Sequence, residues 1–370
     1  MDFTLGEELE AVRELARRIF TDHATRERIR AAERSETGID HALWSELANT
    51  GLLGVALPED AGGAGLGLGG LCVLLEEQGR AVAPVPLWPA LVTALAVARY
   101  GGPEQRAALL PGVADGTIRP TAALEEFAPH DPASPVCRAR RDGDGWVLTG
   151  TKAVVPSAHG AGPVLVSADA GLFLVEADAP GITWEDVETT SRDKARTLHL
   201  DSTPAQPLTG NGVPGRPPVD SALDGVLDLA RTALAAVQVG VAEGAMRRAA
   251  DHVTRREQFG RPLGTFQAVQ HQLADCYIEI EAMRVCLWHA VSLLDAGEPA
   301  ASAVLVAKWW AGEAGLNVVH RTQHLHGGIG VDVDYPIHRY FLWGKQISGT
   351  LGGASADLER LGTALAGASW

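Results

Sequence analysis

The sequence predicts an α+β, mainly α-helical protein in three parts: a helical domain over residues 1–118, a small β-barrel or sandwich over 119–214, and a four-helix bundle over 219–370. Three observations predict it. Apolar residues recur at helical spacing through the first third of the chain; the middle switches to alternating, β-branched segments cut by Gly, Pro and Asp; and an apolar heptad seam runs through the last third. With 370 residues, 46% of them hydrophobic and 21% charged, the chain has ample material for a deep core.

Thr4 with Glu7 forms a capping box, and Leu5, Leu9, Val12, Leu15 and Ile19 then follow in steps of three and four on one helix face. "DHALWSELANTGLLGVALPEDAGGAGLG" reads as a short helix and a glycine-rich loop, followed by an apolar helix near 69–81. Helical signals return in "PALVTALAVARY" and "PEQRAALLPGVADG". In the middle third, "DGWVLTGTKAVVP" alternates behind a turn at Gly143–Gly145, and "PVLVS", "GLFLVEA" and "ARTLHL" read as further short strands. "LTGNGVPGRPP" (208–218) is the expected linker. Beyond it, Gly240, Gly244 and many alanines between 229 and 250 allow neighbouring helices to approach closely. Phe266, Val269, Leu273, Cys276, Ile280, Met283 and Leu287 form the seam expected of helix-on-helix packing.

A net charge of -15 without a basic stripe argues against non-specific nucleic-acid binding, which needs concentrated positive charge. Cys72, Cys137, Cys276 and Cys286 lack CxxC spacing and read as small buried hydrophobes. The start, "MDFTLGEELE", has no basic n-region or apolar run, so no signal peptide is expected. The longest apolar stretches, "LCVLL" and "LVTALAVA", are too short to span a bilayer, and a cytoplasmic protein is expected. "GLGLGG" (65–70) matches GxGxxG formally, but nothing around it reads as βαβ, and a loop is expected.

The segment "QHLHGGIGVDVDYP" (323–336) raises three readings: a metal site, a phosphate cradle or a tight turn. His320 and His324 stand i, i+4, as two ligands on a helix face would, but no third ligand or HExxH register accompanies them, so no metal is expected. Gly327, Gly328 and Gly330 suit a helix end followed by backbone that a ligand approaches closely, where Gln323 and backbone groups would read a cofactor.

"RREQFGRPLGTFQ" and "HLHGGIGVDVDYPIHRYF", together with the domain order, resemble the acyl-CoA dehydrogenase family over essentially the whole chain. The resemblance implies FAD-dependent α,β-desaturation of an acyl-CoA. It places FAD between two protomers, its flavin ring held by a protomer's own β domain and its ADP half clamped by the neighbour's C-terminal helices. Carried over by position, Arg256, Phe259, Gln267, Gln323, Gly327 and Gly328 match the clamp, and Thr350 matches a further FAD contact. A guanidinium suits a pyrophosphate through paired, charge-assisted bonds.

The chain departs from the family at the catalytic positions. The reaction needs a carboxylate to remove the α-proton, and the family keeps a glutamate at one of two places. Here those places hold Ser348 and Ala230, so no catalytic residue is expected. Glu125 stands where a threonine donates to the flavin, and Val154 and Pro156 replace ring contacts. This asymmetry resembles the small, glutamate-lacking subunits of actinobacterial heterotetrameric acyl-CoA dehydrogenases that shorten steroid side chains. The expected partners are therefore an acyl-CoA, steroid-like on resemblance alone, and another acyl-CoA dehydrogenase subunit. Two rivals stand beside this: a homo-oligomeric enzyme whose base has moved to Asp228, Glu125 or Glu126, and a flavin-free fold with a binding or non-redox role.

Overall fold

A computed structural model describes residues 5–127, 131–208 and 222–367. The chain divides into two compact units, one of Met1–Arg26, Cys72–Ala83 and Arg231–Trp370, the other of Glu27–Leu71 and Pro84–Ala230. Both the apolar helix near residue 70 and the long helix after residue 222 are shared between them.

The second unit combines short helices with a curled sheet. Its helices are α2 (Arg26–Arg34), α3 (His41–Asn49), the start of α4 (Gly67–Ala81), α5 (Leu87–Tyr100) and α6 (Pro103–Ala114). The side chain of Asp40 caps α3 by accepting from Leu43 N at 3.0 Å, and Pro103 opens α6, where a missing N–H costs nothing. The strands β1 (Thr121–Ala123), β2 (Arg138–Asp142), β3 (Gly145–Val155), β4 (Val164–Ala168), β5 (Gly171–Val175), β6 (Ile182–Glu188) and β7 (Lys194–Pro207) form a sheet in the order β1-β4-β5-β7-β3-β2, with β6 also on β7. Only β1 and β4 run parallel; the other pairs are antiparallel. Strand β7 is long enough to pair with three neighbours, and this closes the sheet around Leu148, Val155, Val166, Phe173, Leu198 and Leu200, with Trp146 edge-on to Phe173 at 5.4 Å.

Sequence patterning misses α2, β2 and β6 for a common reason. "RERIRAAER" buries only Ile29 and Ala32, "RARRD" is mostly exposed, and "ITWEDVE" has no fully buried residue, so each offers too few apolar positions for its period to stand out. The "GLGLGG" loop expectation is corrected in part, since Gly67–Gly70 form the first turn of α4. A 3₁₀ turn at Glu59–Ala61 precedes it where a dinucleotide fingerprint would need a strand. Thr4 and linker residues 209–218 lie outside the described residues.

The first unit contains α1 (Glu7–His23), the end of α4, most of α7 (Ala222–Arg255), α8 (Gln267–Ala296), α9 (Ala301–His326), α10 (Ile337–Gly349) and α11 (Ala354–Gly367). Helix α9 packs against α8, α10 and α11. Glu7, Glu8 and Glu10 in the first turn of α1 complement its dipole, but of the expected apolar face only Ile19 is fully buried, alongside Ala16 and Phe20. Along the heptad seam Cys276, Ile280, Met283 and Leu287 are buried. Its first three members are half-buried, and Phe266 lies outside the helix as its N-cap residue.

The small-residue stripe of α7 has a specific use. A Cβ on Gly240 would lie 1.9 Å from Glu76 O, one on Gly79 2.1 Å from Val237 O, and one on Gly244 2.4 Å from Arg80 O. Helices α4 and α7 therefore touch backbone to backbone. Helix α7 also corrects the expectation that no apolar stretch could span a bilayer: it is 34 residues long and apolar enough, yet 89% of its apolar window is buried inside the protein, as in a core helix.

Gly240→Ala is expected to cost about 1–3 kcal/mol, because backbone atoms cannot rotate away from the new methyl group as a side chain would. Gly328→Ala, whose Cβ meets nothing within 4 Å, serves as the control. Thermal denaturation should show a lowered midpoint for the first and near-native behaviour for the second.

Candidate cofactor clamp and catalytic positions

At the end of α7 the chain makes a hairpin from β8 (Glu257–Gln258) and β9 (Arg261–Pro262), whose register pairs Glu257 with Pro262 and Gln258 with Arg261. Its two-residue turn is Phe259 and Gly260, with φ of 56° and 75°. Two consecutive positive φ values match the twist of a tight hairpin, but glycine is the natural occupant and a phenylalanine there is strained. Phe259 is also 92% exposed, its ring 6.2 Å from that of Phe266. A large apolar side chain held strained and solvent-facing is poorly explained by this unit's own packing.

The hairpin lies beside the glycine turn that ends α9. Ala249 and Val253 of α7 and Leu325 of α9 form a small cluster against which Leu263, Val269 and Leu273 pack, so the "EQFGRPLGTFQ" and "QHLHGG" segments meet in space. Gly327 has φ 63° and ψ -142°, and a Cβ on Gly327 or Gly328 would enter open space. Gly330 differs from them: its Cβ would lie 2.6 Å from Gln323 O, so it serves close packing within the turn. The Gln323 side-chain amide donates to Gly330 O at 2.9 Å and shapes the same turn. Arg256 and Gln267 are exposed at the two ends of the hairpin segment. Thr350 is used locally, its hydroxyl donating to Gln346 O at 2.9 Å at the end of α10.

The three histidines diverge. His320 stands edge-on to Phe341 at 4.7 Å, His324 is exposed, and His326 is buried and stacks on His252 at 4.5 Å. Among the described residues no three His, Cys, Asp or Glu side chains are grouped as a metal would need. Burial holds both stacked imidazoles below the usual histidine range, with Arg256 adding to the effect on His252. The pair is therefore neutral at neutral pH, and its rim leaves positive charge to the arginines. His252 and Arg261, whose guanidinium lies 4.1 Å from the Phe266 ring centroid, escaped sequence reasoning. Arg261 stands inside "RREQFGRPLGTFQ", but no local pattern marks its place over Phe266, and His252 has no sequence signal because its partner lies on another helix, far along the chain.

At the two positions where the family resemblance leads one to expect a base, Ser348 is buried with its hydroxyl donating to Lys345 O at 2.8 Å, and Ala230 is fully buried. In the second unit Glu126 accepts from Lys152 Nζ at 2.7 Å, Val136 N at 2.7 Å and Cys137 N at 3.0 Å. Burial alone would raise its proton affinity, but these donors prevail and hold the carboxyl below its usual range. Glu126 thus ties the ends of its loop to a fully buried lysine, which also donates to Ser167 Oγ at 2.9 Å. A carboxylate bound in this way is a poor proton acceptor. Glu125 is half-buried, its backbone carbonyl accepting from Ala153 N at 2.9 Å; Asp228 is also half-buried, and Pro156 O accepts from Thr121 Oγ1.

With this geometry in place, the chain is assigned to the acyl-CoA dehydrogenase family: residues 6–117 match the family's N-terminal domain and residues 220–356 its C-terminal domain. It is 35% identical to acyl-CoA dehydrogenase FadE27 of Mycobacterium tuberculosis over 99% of both chains. The fold superposes with a TM-score of 0.93 on a chain from the solved structure of a variant of the Tcur3481-Tcur3483 steroid ACAD, at 68% identity, covering 98% of this chain and 99% of that one. It superposes equally, at 33% identity and over the whole of both chains, on a chain of the ChsE4-ChsE5 complex from Mycobacterium tuberculosis.

Lys152→Met leaves Glu126 buried without its counter-charge and is expected to cost about 3–5 kcal/mol. Combining it with Glu126→Gln should recover part of that loss, and urea denaturation of the single and double variants measures the coupling.

Proposed function

We propose that this chain is a non-catalytic partner subunit of an FAD-dependent acyl-CoA dehydrogenase and completes the FAD site of a glutamate-bearing subunit. The observation that carries the reading is the pair of side chains at the family's base positions, Ser348 and Ala230. Removing the α-proton of an acyl thioester requires a carboxylate within hydrogen-bond reach. Alanine has no ionisable group, and the serine hydroxyl is committed to Lys345 O; an unassisted alcohol is in any case a far weaker base.

The clamp residues fit the ADP half of FAD. Open space over Gly327 and Gly328 lets a pyrophosphate approach the backbone, and Arg256 offers an exposed guanidinium beside it for charge-assisted bonds. Phe259 would bury its exposed ring against the partner's cofactor, which accounts for its strained position. Gln267, Gln323 and Thr350 would supply polar contacts. When bound, FAD supplies the acceptor for the hydride that leaves the β-carbon. This chain's part is to hold the cofactor's phosphates and leave proton abstraction to the partner.

Two findings support a heteromeric role. The solved relatives include a complex of two differently named subunits, ChsE4 and ChsE5, and a steroid ACAD that carries a double name of the same form. The 68% identity to the latter makes a steroid-like acyl-CoA the first substrate to test for the complex.

The test is to purify the chain alone and co-expressed with a glutamate-bearing subunit, then record the flavin absorption before and after anaerobic addition of a steroid side-chain acyl-CoA. The complex should carry FAD that bleaches, and Arg256→Ala in this chain should weaken its FAD retention by roughly tenfold or more. If the chain alone carries FAD that the acyl-CoA bleaches, the non-catalytic reading is wrong.

A further inference from the structure

A second polar site lies in the first unit, outside the clamp. A cavity of about 660 Å³ is lined by side chains of α1, α4, α7 and α8. Five guanidinium groups reach it, from Arg13, Arg17, Arg80, Arg247 and Arg284. Four carboxylates answer them. Glu10 pairs with Arg13 at 3.1 Å, Glu77 with Arg17 at 2.9 Å and with Arg80 at 3.1 Å, Glu243 with Arg247 at 2.8 Å and with Arg284 at 2.7 Å, and Glu281 with Arg284. Arg80 also contacts Glu243.

The fifth carboxylate, Glu76, is the anomaly. It lines the cavity and is only 2% exposed, and its Oε1 is buried without a hydrogen-bond partner. Its other oxygen is 3.8 Å from Arg284 Nε, too far for a hydrogen bond. An ionised carboxylate with a buried, unsatisfied oxygen is costly, whereas a protonated one gains an O–H that can donate into the cavity. Burial does move its pKa up to about 7, against the lowering effects of Arg284, Arg13 and Arg80 and together with the raising effect of Glu243. Beyond these groups, Cys72 on the same helix feels both Glu76 and Asp295 of α8, and burial holds its thiol protonated. With Glu76 neutral, five cations face four anions, and the site has room and charge for one more negative group.

We infer that this cavity binds an oxyanion, a carboxylate or a phosphate group, and that binding is coupled to protonation of Glu76. The bound group would accept from the Glu76 O–H and from the arginines whose side chains are partly solvent-facing, Arg17 and Arg247 being 45% and 62% exposed and able to reorient. Coupling is reciprocal: an anion that favours protonated Glu76 binds more tightly as pH falls. The sign follows from the raised pKa. Below about 7 the proton is already present and affinity is level; above it each bound anion must first bring in a proton, and affinity falls by up to about tenfold per pH unit.

The test is isothermal titration calorimetry on the full chain, in the assembly in which it purifies, at constant ionic strength. Sulfate represents the phosphate class and acetate the carboxylate class, since neither titrates above neutral pH, and two buffers of different ionisation heat report proton uptake. The expected result is saturable binding of at least one probe, weaker at about pH 8.5 than at about pH 7, with close to one proton taken up per anion at the higher pH. Glu76→Gln should bind with no proton uptake and no pH dependence, and Arg284→Gln should weaken binding by roughly tenfold or more. Absence of saturable binding by either probe, or binding without proton uptake by the unmodified chain, overturns the inference, and the unmodified protein suffices for both readings.

Discussion

The backbone contact between α4 and α7 is the constraint on which much of the first unit depends. Gly79 and Gly240 remove the side chains that would otherwise separate the two helices, and Gly244 admits both Arg80 O and the Tyr340 ring. Tyr340 then donates its hydroxyl to Arg80 O at 2.8 Å while accepting from Arg248 Nε at 2.9 Å, which ties α10 to the same crossing. Helices this close bring their polar residues together as well. Glu76, Glu77 and Arg80 on α4 meet Glu243 on α7 because glycine sets the spacing, and the ion network fills what the missing side chains leave open. Close packing and buried charge are consequences of one geometric fact.

A second theme is how the molecule uses charge in its interior. Lys152 with Glu126 and Lys308 with Asp357 are both buried pairs, but they differ: the first is completed by two backbone N–H groups and Ser167, whereas in the second Arg360 bonds Asp357 Oδ1 and Lys308 donates to Gly352 O, while Asp357 Oδ2 stands 3.7 Å from Lys308 Nζ without a hydrogen bond. Such pairs repay desolvation only when their remaining hydrogen-bonding capacity is met. Each also fastens a loop, the one after β1 and the one after α10. The latter includes Leu351, whose φ of 59° needs support from its surroundings. Glu125 lies in the first of these loops, and Ser348 in the last turn of α10, just before the second.

Amino-acid patterning by itself determined the mainly helical class, the β insertion in the middle, the long small-residue helix and the lower half of the α8 seam, because each rests on a local period that burial enforces over many residues. It also determined the identity of Ser348 and Ala230, and hence which chemistry those positions can perform. Elements with little buried surface, α2, β2 and β6, left too few apolar positions to stand out, and the first turn of α4 was hidden because most of "GLGLGG" is glycine. Tertiary structure alone decided the rest. It placed the hairpin against the glycine turn through Leu325 and Val253, stacked His252 on His326, and spent Glu126 on a loop clasp; it also left Glu76 short of a partner among five arginines. These outcomes depend on groups far apart in sequence meeting at hydrogen-bond distance, and no local period of side chains encodes such a meeting.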